Sequence, residues 1–373
     1  MALEIRKYCE SDFDEVCRLV GTCYPDMPLK ADKQYFDWRF VESPLGSSLN
    51  QYLLAFDGGK LIGQVAAIRD CLLVENSWLP CMWVMDLMVA PEHRKKMAGV
   101  RLLQAAMSDN PLLFVTGVNP EAMGFYTALR WQRLSVLSTF FDINRARPLL
   151  QMAVNSVGGP ARLSKLLPLM KLVDAVLPTF QRSRLWVKGI RKGARYLETV
   201  VQFNGEMEAF LTQTLPRLGA TFFRSTEYLR WRFEARPVGS HVTIVARSRR
   251  SGDLHGYVVV RFMERKSVAR WAEIADIVVD PADMETFTML LAAARRESLK
   301  RRADFIRVRL SGAAQLQQLR KLRWIERARP GVDDVFMYSN DPHLLDLLKK
   351  IHPLYITGIC SDHSDYGGDE WPA

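Results

Sequence analysis

Three things are scarce in this 373-residue chain. It has no run of about 18 or more uncharged apolar residues, the length at which a helix spans a bilayer. Its opening, MALEIRKYCESDFDEV, is too acidic and too short in apolar run to read as a secretory leader. Its six cysteines (Cys9, Cys17, Cys23, Cys71, Cys81, Cys360) show no metal-type spacing and lie mostly in apolar segments, which favours a reducing compartment and no metal. Acidic residues are nearly absent from one segment. Between Arg145 and Leu197 there are 11 lysines and arginines against Asp174 alone, so this stretch carries the whole formal excess of +10. A general nucleic-acid surface would colour the domains themselves, so nucleic acid is not expected as a partner.

What is present is enough for two cores. With 48% hydrophobic and 25% charged residues the chain is globular, and its length suits two domains of about 150–190 residues. The most informative stretch is Val84 to Met107. It reads as a buried strand, a proline-containing turn, three consecutive cations (Arg94, Lys95, Lys96) and a helix with apolar Val100, Leu103 and Met107. Three cations at the positive end of a helix dipole cost roughly 0.3–1 kcal/mol each and gain nothing for folding. A bound polyanion is the simplest compensation, since free backbone N–H groups lie at the same place.

The order strand, Val-x-Pro, Arg94-x-x-Met97-x-Gly99 resembles the acyl-CoA site of the GNAT N-acyltransferases, whose pattern is Arg/Gln-x-x-Gly-x-Gly/Ala. The resemblance implies an α/β fold with mixed sheets and acyl-CoA as co-substrate. It also implies pyrophosphate held at Arg94, Lys95, Lys96, Met97, Ala98, Gly99 and Val100, and a pantetheine arm paired with the backbone of Leu87, Met88 and Val89. Met97 stands where the family has its first glycine; a positive φ there would cost a non-glycine residue about 1–2 kcal/mol. Asn119 to Leu129 resembles the family's Asn-x(6)-Tyr helix, which makes Tyr126 the expected acid for the leaving thiolate. Asp86 resembles the family's general base, or else serves a structural hydrogen bond.

Residues 1–142 contain the parts of such a unit in order: strand Leu3–Lys7, helix Phe13–Val20, helix Asp32–Val41, strands Gln51–Phe56, Leu61–Leu73 and Met82–Val89, the phosphate-site helix, strand Leu112–Thr116, a helix after Asn119, and strands near Gln132–Asp142. Residues 199–340 repeat it. Tyr35-x-x-Trp38-Arg39-Phe40 with Pro44-x-Gly46 recurs as Tyr228-x-x-Trp231-Arg232-Phe233 with Pro237-x-Gly239, Asp86-x-x-Val89-x-Pro91 as Asp276-x-x-Val279-x-Pro281, and Leu129-Arg130-Trp131 as Leu322-Arg323-Trp324, at nearly constant spacing. Constant spacing places Met284 and Met289 where Arg94 and Gly99 stand, and Leu319 where Tyr126 stands, so the second copy is read as degenerate. Because Tyr35, Trp38 and Arg39 persist there, they are read as packing residues.

Residues 143–198 belong to neither copy. They read as a basic, amphipathic helical connector suited to an anionic membrane surface or to packing on the two domains. Residues 341–373 read as a helix (Pro342–Lys350), a strand at Leu354–Thr357, and a tail whose Ser361–Asp365 run reads as a solvated terminus. The resulting expectation is a cytoplasmic acyl-CoA-dependent N-acyltransferase, peripheral on the inner membrane if the connector meets lipid, with an amine acceptor. A lipid amine is favoured, by likeness to bacterial ceramide synthases, with a cell-envelope amino sugar beside it. The alternatives are a Fem-like aminoacyl-tRNA-dependent transferase and a non-catalytic ligand-binding protein.

Overall fold

A computed structural model describes residues 3–118, 120–145, 194–265, 269–327, 333–350, 354–360 and 369–370. The first unit opens with β1 (Glu4–Lys7), α1 (Phe13–Cys23) and α2 (Lys33–Phe40), the last capped by the Asp32 carboxylate, which accepts from the Tyr35 N–H. There follow β2 (Leu53–Asp57), the long hairpin of β3 (Lys60–Val74) and β4 (Ser77–Val89), α3 (Ala98–Asp109), β5 (Leu112–Thr116), α4 (Pro120–Ala128), β6 (Gln132–Val136) and β7 (Ser138–Ile143). The second unit has β8 (Arg195–Val200), α5 (Gly205–Thr214), β9 (Ala220–Phe222), α6 (Thr226–Leu229), β10 (His241–Ser248), β11 (Leu254–Arg265), β12 (Ala269–Val279), α7 (Met284–Lys300), β13 (Phe305–Leu310), α8 (Ala313–Lys321), β14 (Ile325–Arg327) and β15 (Asp334–Ser339). The chain continues through α9 (Pro342–Lys350), β16 (Leu354–Tyr355) and β17 (Asp369–Glu370).

The strands form two mixed sheets with main paths β1-β2-β3-β4-β5-β15-β6 and β14-β7-β13-β12-β11-β10-β8; β9 joins the first through β3 with β16 beside it, and β17 joins the second through β11. In each, one parallel pair is bridged by a helix on one face, as a parallel connection requires. The strands near Gln132–Asp142 do not both finish the first unit. β6 stays in the first sheet, but β7 crosses at Leu137 and pairs with β13 and β14 of the second. In return β15 enters the first sheet between β5 and β6. Where they cross, the Leu137 N–H donates to the Asp333 carbonyl at 2.6 Å. Arg195–Val200, which the sequence pattern assigns mostly to the connector, is an edge strand paired with β10. The rest of the connector, residues 146–193, and the Ser361–Asp365 run lie outside the described residues.

The repeated motifs have physical causes. Trp38 and Trp231 stack across the two units with ring centroids 5.3 Å apart, and each indole N–H donates to the other's backbone carbonyl at 2.8 Å. Tyr35 and Trp38 are therefore packing residues, in agreement with their recurrence. Arg130 and Arg323 end their helices in the left-handed region, and the following Trp131 and Trp324 N–H groups donate back to Tyr126 and Leu319. Gly63 and Gly256 lie under their units' helices, where an added Cβ would come within 3.0 Å of the Met88 and Val278 carbonyls.

One hydrophobic core runs through both units, from Tyr8 to Cys360. Within it Asp70 accepts from the Trp83 indole at 2.9 Å and, across the units, from the Phe223 N–H at 3.3 Å; burial pushes its carboxyl up to about 7. Truncating Trp38 removes a stacked ring and the indole hydrogen bond to the Trp231 carbonyl from this core, while the Trp38 carbonyl remains to accept from Trp231. Trp38→Ala is expected to lower stability by about 3–5 kcal/mol. Urea denaturation followed by fluorescence and circular dichroism should show a shifted but still single transition, because neither sheet is complete alone; separate transitions would contradict the shared core.

Candidate active site

The strand carrying Asp86 is irregular. β3 and β4 pair regularly from Gly63 with Val89 and Gln64 with Met88, then slip, so that Ala66 faces Met85. The extra residue makes a bulge, and Asp86 adopts φ +52° within it. Aspartate tolerates this conformation better than most residues. β4 also parts from β5: the parallel pairing holds at Met82 with Leu113 and Trp83 with Phe114, and no β4–β5 pair follows among the described residues. Past Trp83 the β5-facing edge of β4 therefore has no strand partner among the described residues. Met88 is buried in the core, whereas Leu87 and Val89 are half-buried.

Both oxygens of Asp86 are engaged. Oδ2 accepts from Arg39 Nη1 at 2.8 Å, and Oδ1 accepts from the Lys30 ammonium. The Asp86, Lys30 and Arg39 side chains are each at most 7% exposed. Arg39, a packing residue by its recurrence, is thus part of the site. The Lys30 ammonium also lies 4.7 Å above the Tyr24 ring. Lys30 belongs to a short turn, Pro28–Ala31, between α1 and α2. No motif marks Lys30 or Tyr24, because only the folded α1–α2 connection brings them to the bulge.

Beyond β4, residues 90–97 lead to α3. The cations are not in its first turn: Pro91–Lys96 forms a separate 3-10 turn, and α3 begins at Ala98. Met97, between them, has φ 59° and ψ 14°, the left-handed conformation that glycine adopts without penalty. The α3 N-terminus has no side-chain cap. Lys96 donates to Asp57 in the β2–β3 hairpin, with His93 3.8 Å from the same carboxylate, so this cation has a structural partner. Arg94 and Lys95 are exposed, and neither forms an ion pair among the described residues. Ala98 is buried, while Gly99 and Val100 are half-buried. A Cβ added at Gly99 would make only an ordinary 3.6 Å contact, with Val89, so the fold itself does not demand glycine there.

Tyr126 is 3% exposed, edge-on to Trp131 and stacked with Phe336 of the exchanged strand β15. Burial, with nearby Tyr24 adding to it, raises its phenol well above the ordinary value and keeps the proton on. Asn119 lies outside the described residues. The end of α1 thus links the parts. Tyr24 lies under the Lys30 ammonium and acts electrostatically on Tyr126, and the charge of Arg94 reaches Cys23, where it partly offsets the burial that raises the thiol.

The second unit shares the slip, between Val259 with Asp276 and Val260 with Ile274, and the parting of its parallel pair, but differs at the helix start and around the carboxylate. β12 pairs with β13 over four residues, Trp271–Ile274. Asp283 caps α7, its carboxylate accepting from the Thr286 N–H at 3.0 Å and pairing with Arg195. The leucine packed on the repeated glycine is Leu102 in one unit and Leu290 in the other. Counted from it, Arg94 and Gly99 correspond to Ala282 and Phe287, not to Met284 and Met289. The shorter connection, 280–283 against 90–97, is the reason. Tyr126 does correspond to Leu319, since both end their helices in the same hydrogen bond from a tryptophan. Among the described residues no cluster of three or more histidine, cysteine, aspartate or glutamate side chains is arranged to hold a metal, and no helix is long and apolar enough to cross a membrane.

Residues 4–126 match the family model described as the acetyltransferase (GNAT) domain. A search of curated proteins finds no match. Among solved structures, the chain is similar to a GCN5-related N-acetyltransferase from Anabaena variabilis, with 13% identity and TM-score 0.59, covering 91% of this chain and 73% of that one. A probable N-acyltransferase from Enterococcus faecalis is similar at 12% identity and TM-score 0.59, with the same coverage. So is Saccharomyces cerevisiae N-myristoyltransferase with bound myristoyl-CoA, at 12% identity and TM-score 0.56, over 91% of this chain and 79% of that one. Residues 4–126 therefore match a GNAT acetyltransferase domain, and the chain has a mixed α/β fold similar to that of these N-acyltransferase structures.

Proposed function

We propose that the protein transfers an acyl group from acyl-CoA to a primary amine, with a single donor site in the first of two GNAT-like units. The observation that carries this reading is the contrast between the units. In the first, β4 parts from β5 beside an uncapped helix N-terminus with Arg94 and Lys95 in front of it. In the second, a carboxylate caps the helix and the chain's own residues 354–360 lie along the corresponding opening. There Thr357 bridges Leu310, the Ser311 N–H donates to the Ile356 carbonyl at 2.9 Å, the Tyr355 hydroxyl donates to the Ile277 carbonyl, and Gly358 packs on the Ala275 backbone. Positions that a ligand would occupy in one unit are filled by protein in the other.

On this reading the backbone of Leu87, Met88 and Val89 pairs with the pantetheine amides. The turn from Arg94 to Val100 holds the pyrophosphate, with Lys96 braced by Asp57 and the Met97 strain offset by ligand binding. Tyr126 gives its proton to the departing thiolate, and Asp86 or a water takes the proton of the acceptor amine. Asn119 joins the donor site by resemblance. Orientation and polarisation of the thioester carbonyl supply most of the rate. The phosphate turn argues against a Fem-like aminoacyl-tRNA-dependent transferase, which has no need of it.

For the acceptor we favour a membrane-associated lipid amine, such as a sphingoid base, or a cell-envelope amino sugar. The basic, apolar-rich residues 145–197 support this as a segment for an anionic bilayer, and would hold the protein peripherally on the cytoplasmic side. The likeness to bacterial ceramide synthases points the same way.

Three measurements test the proposal. Titration calorimetry with an acyl-CoA should give one site per chain, and Arg94→Glu with Lys95→Glu should weaken binding at least tenfold and flatten its salt dependence; no binding by the native protein would sink the reading. Met97→Gly should raise thermal stability by about 1 kcal/mol by removing the left-handed penalty; a loss of stability would show the turn unstrained. Flotation with anionic vesicles should capture the native protein and fail after deletion of residues 145–197, and equal behaviour of the two would reject the membrane role.

A further inference from the structure

We propose that the Asp86 carboxylate and the Tyr24 ring form a subsite for a primary ammonium, which Lys30 occupies when no acceptor is bound. The proposal rests on the transferase reading and names the acceptor's binding point within it. A carboxylate on one side and an aromatic face on the other is the chemistry that recognises an alkylammonium. Here the two groups meet an ammonium already: Lys30 donates to Asp86 Oδ1 and lies 4.7 Å above the Tyr24 ring, with both charged side chains almost fully covered.

Three features suit this ammonium to be exchangeable. First, Lys30 reaches the bulge on a flexible four-carbon stem from the Pro28–Ala31 turn. Second, Asp86 keeps its bond from Arg39 on α2, so the carboxylate stays oriented and the bulge stays formed when Lys30 withdraws. Third, exchange of one ammonium for another leaves the buried charge unchanged, avoiding the penalty of uncovering a lone carboxylate. The second unit shows the non-exchangeable alternative. Asp276 is held by Arg224, whose guanidinium is also locked by Thr221, the Phe222 carbonyl and Thr357, while Tyr257 and Thr357 donate to the same carboxylate. Arg224 and Asp276 are both fully buried. An amine placed on Asp86 would lie at the β4 bulge, beyond the last β4–β5 pair at Trp83 with Phe114.

The test uses n-butylammonium as probe, without acyl-CoA, on the full chain. Lys30→Met should bind it at least tenfold more tightly than the native protein by calorimetry, and adding Tyr24→Leu or Asp86→Asn should abolish the gain. In a coupled assay of CoA release, the KM for n-butylamine should fall in Lys30→Met in the same proportion. If Lys30→Met keeps the native circular dichroism spectrum and binds the probe no better, the proposal is wrong. Should Lys30→Met fail to fold, Lys30→Gln takes its place, and failure of n-butylammonium to raise the melting temperature of either variant would equally overturn it. Failure of the transferase reading has a different signature: the native protein neither binds acyl-CoA nor releases CoA, while the probe's binding to Lys30→Met stands.

Discussion

Neither sheet can form without the other unit, because the chain crosses between them at Leu137 and Asp333 and each unit supplies a strand to its partner's sheet. That exchange forces the two units to fold against one another and makes their packed faces one core. Trp38 and Trp231, bonded reciprocally within it, hold α2 and the turn that follows α6, Arg230–Glu234, in a fixed relation. The site depends on this arrangement. Phe336, which packs against Tyr126, arrives on the exchanged strand β15 and so comes from the second unit.

Within that frame the first unit adopts a positive φ at two residues where its counterpart has none. Asp86 takes a positive φ in a bulge, and Met97 takes one between the cation-bearing turn and α3. Asp276 and the capped start of α7 show that the same scaffold closes without either. Strain that a fold does not need is most simply explained by a ligand that does. The bulge is tied down by Arg39 and Lys30, which commits two buried cations to one carboxylate.

Much of the candidate site is legible in the chain's own pattern. Arg94, Lys95 and Lys96 stand out as a run of cations before a helix, and in the fold Lys96 is braced by Asp57 while Arg94 and Lys95 form no ion pair among the described residues. The comparison of the two copies is incomplete for Arg39, which is buried as read but also holds Asp86. Its persistence in the second unit suggests packing, yet a cation beside the strand carboxylate serves both units, Arg39 for Asp86 and Arg224 for Asp276. The comparison also misplaces the equivalents of Arg94 and Gly99, because constant spacing cannot register a connection shortened inside the repeat.

Local chemistry along the chain determined the elements and their duplication: Asp32 as a cap, Arg130 and Arg323 as left-handed helix ends, alternating apolar runs as strands, and a run of cations before a helix. These depend on neighbours a few residues away, so the sequence alone carries them. Which sheet receives β7 and β15, that Lys30 and Tyr24 converge on Asp86, and that residues 354–360 fill the second opening depended on contacts between residues far apart in the chain. Such contacts are selected by the packing of whole faces and by the pairing of strand edges, and no local pattern encodes which edge a strand will find.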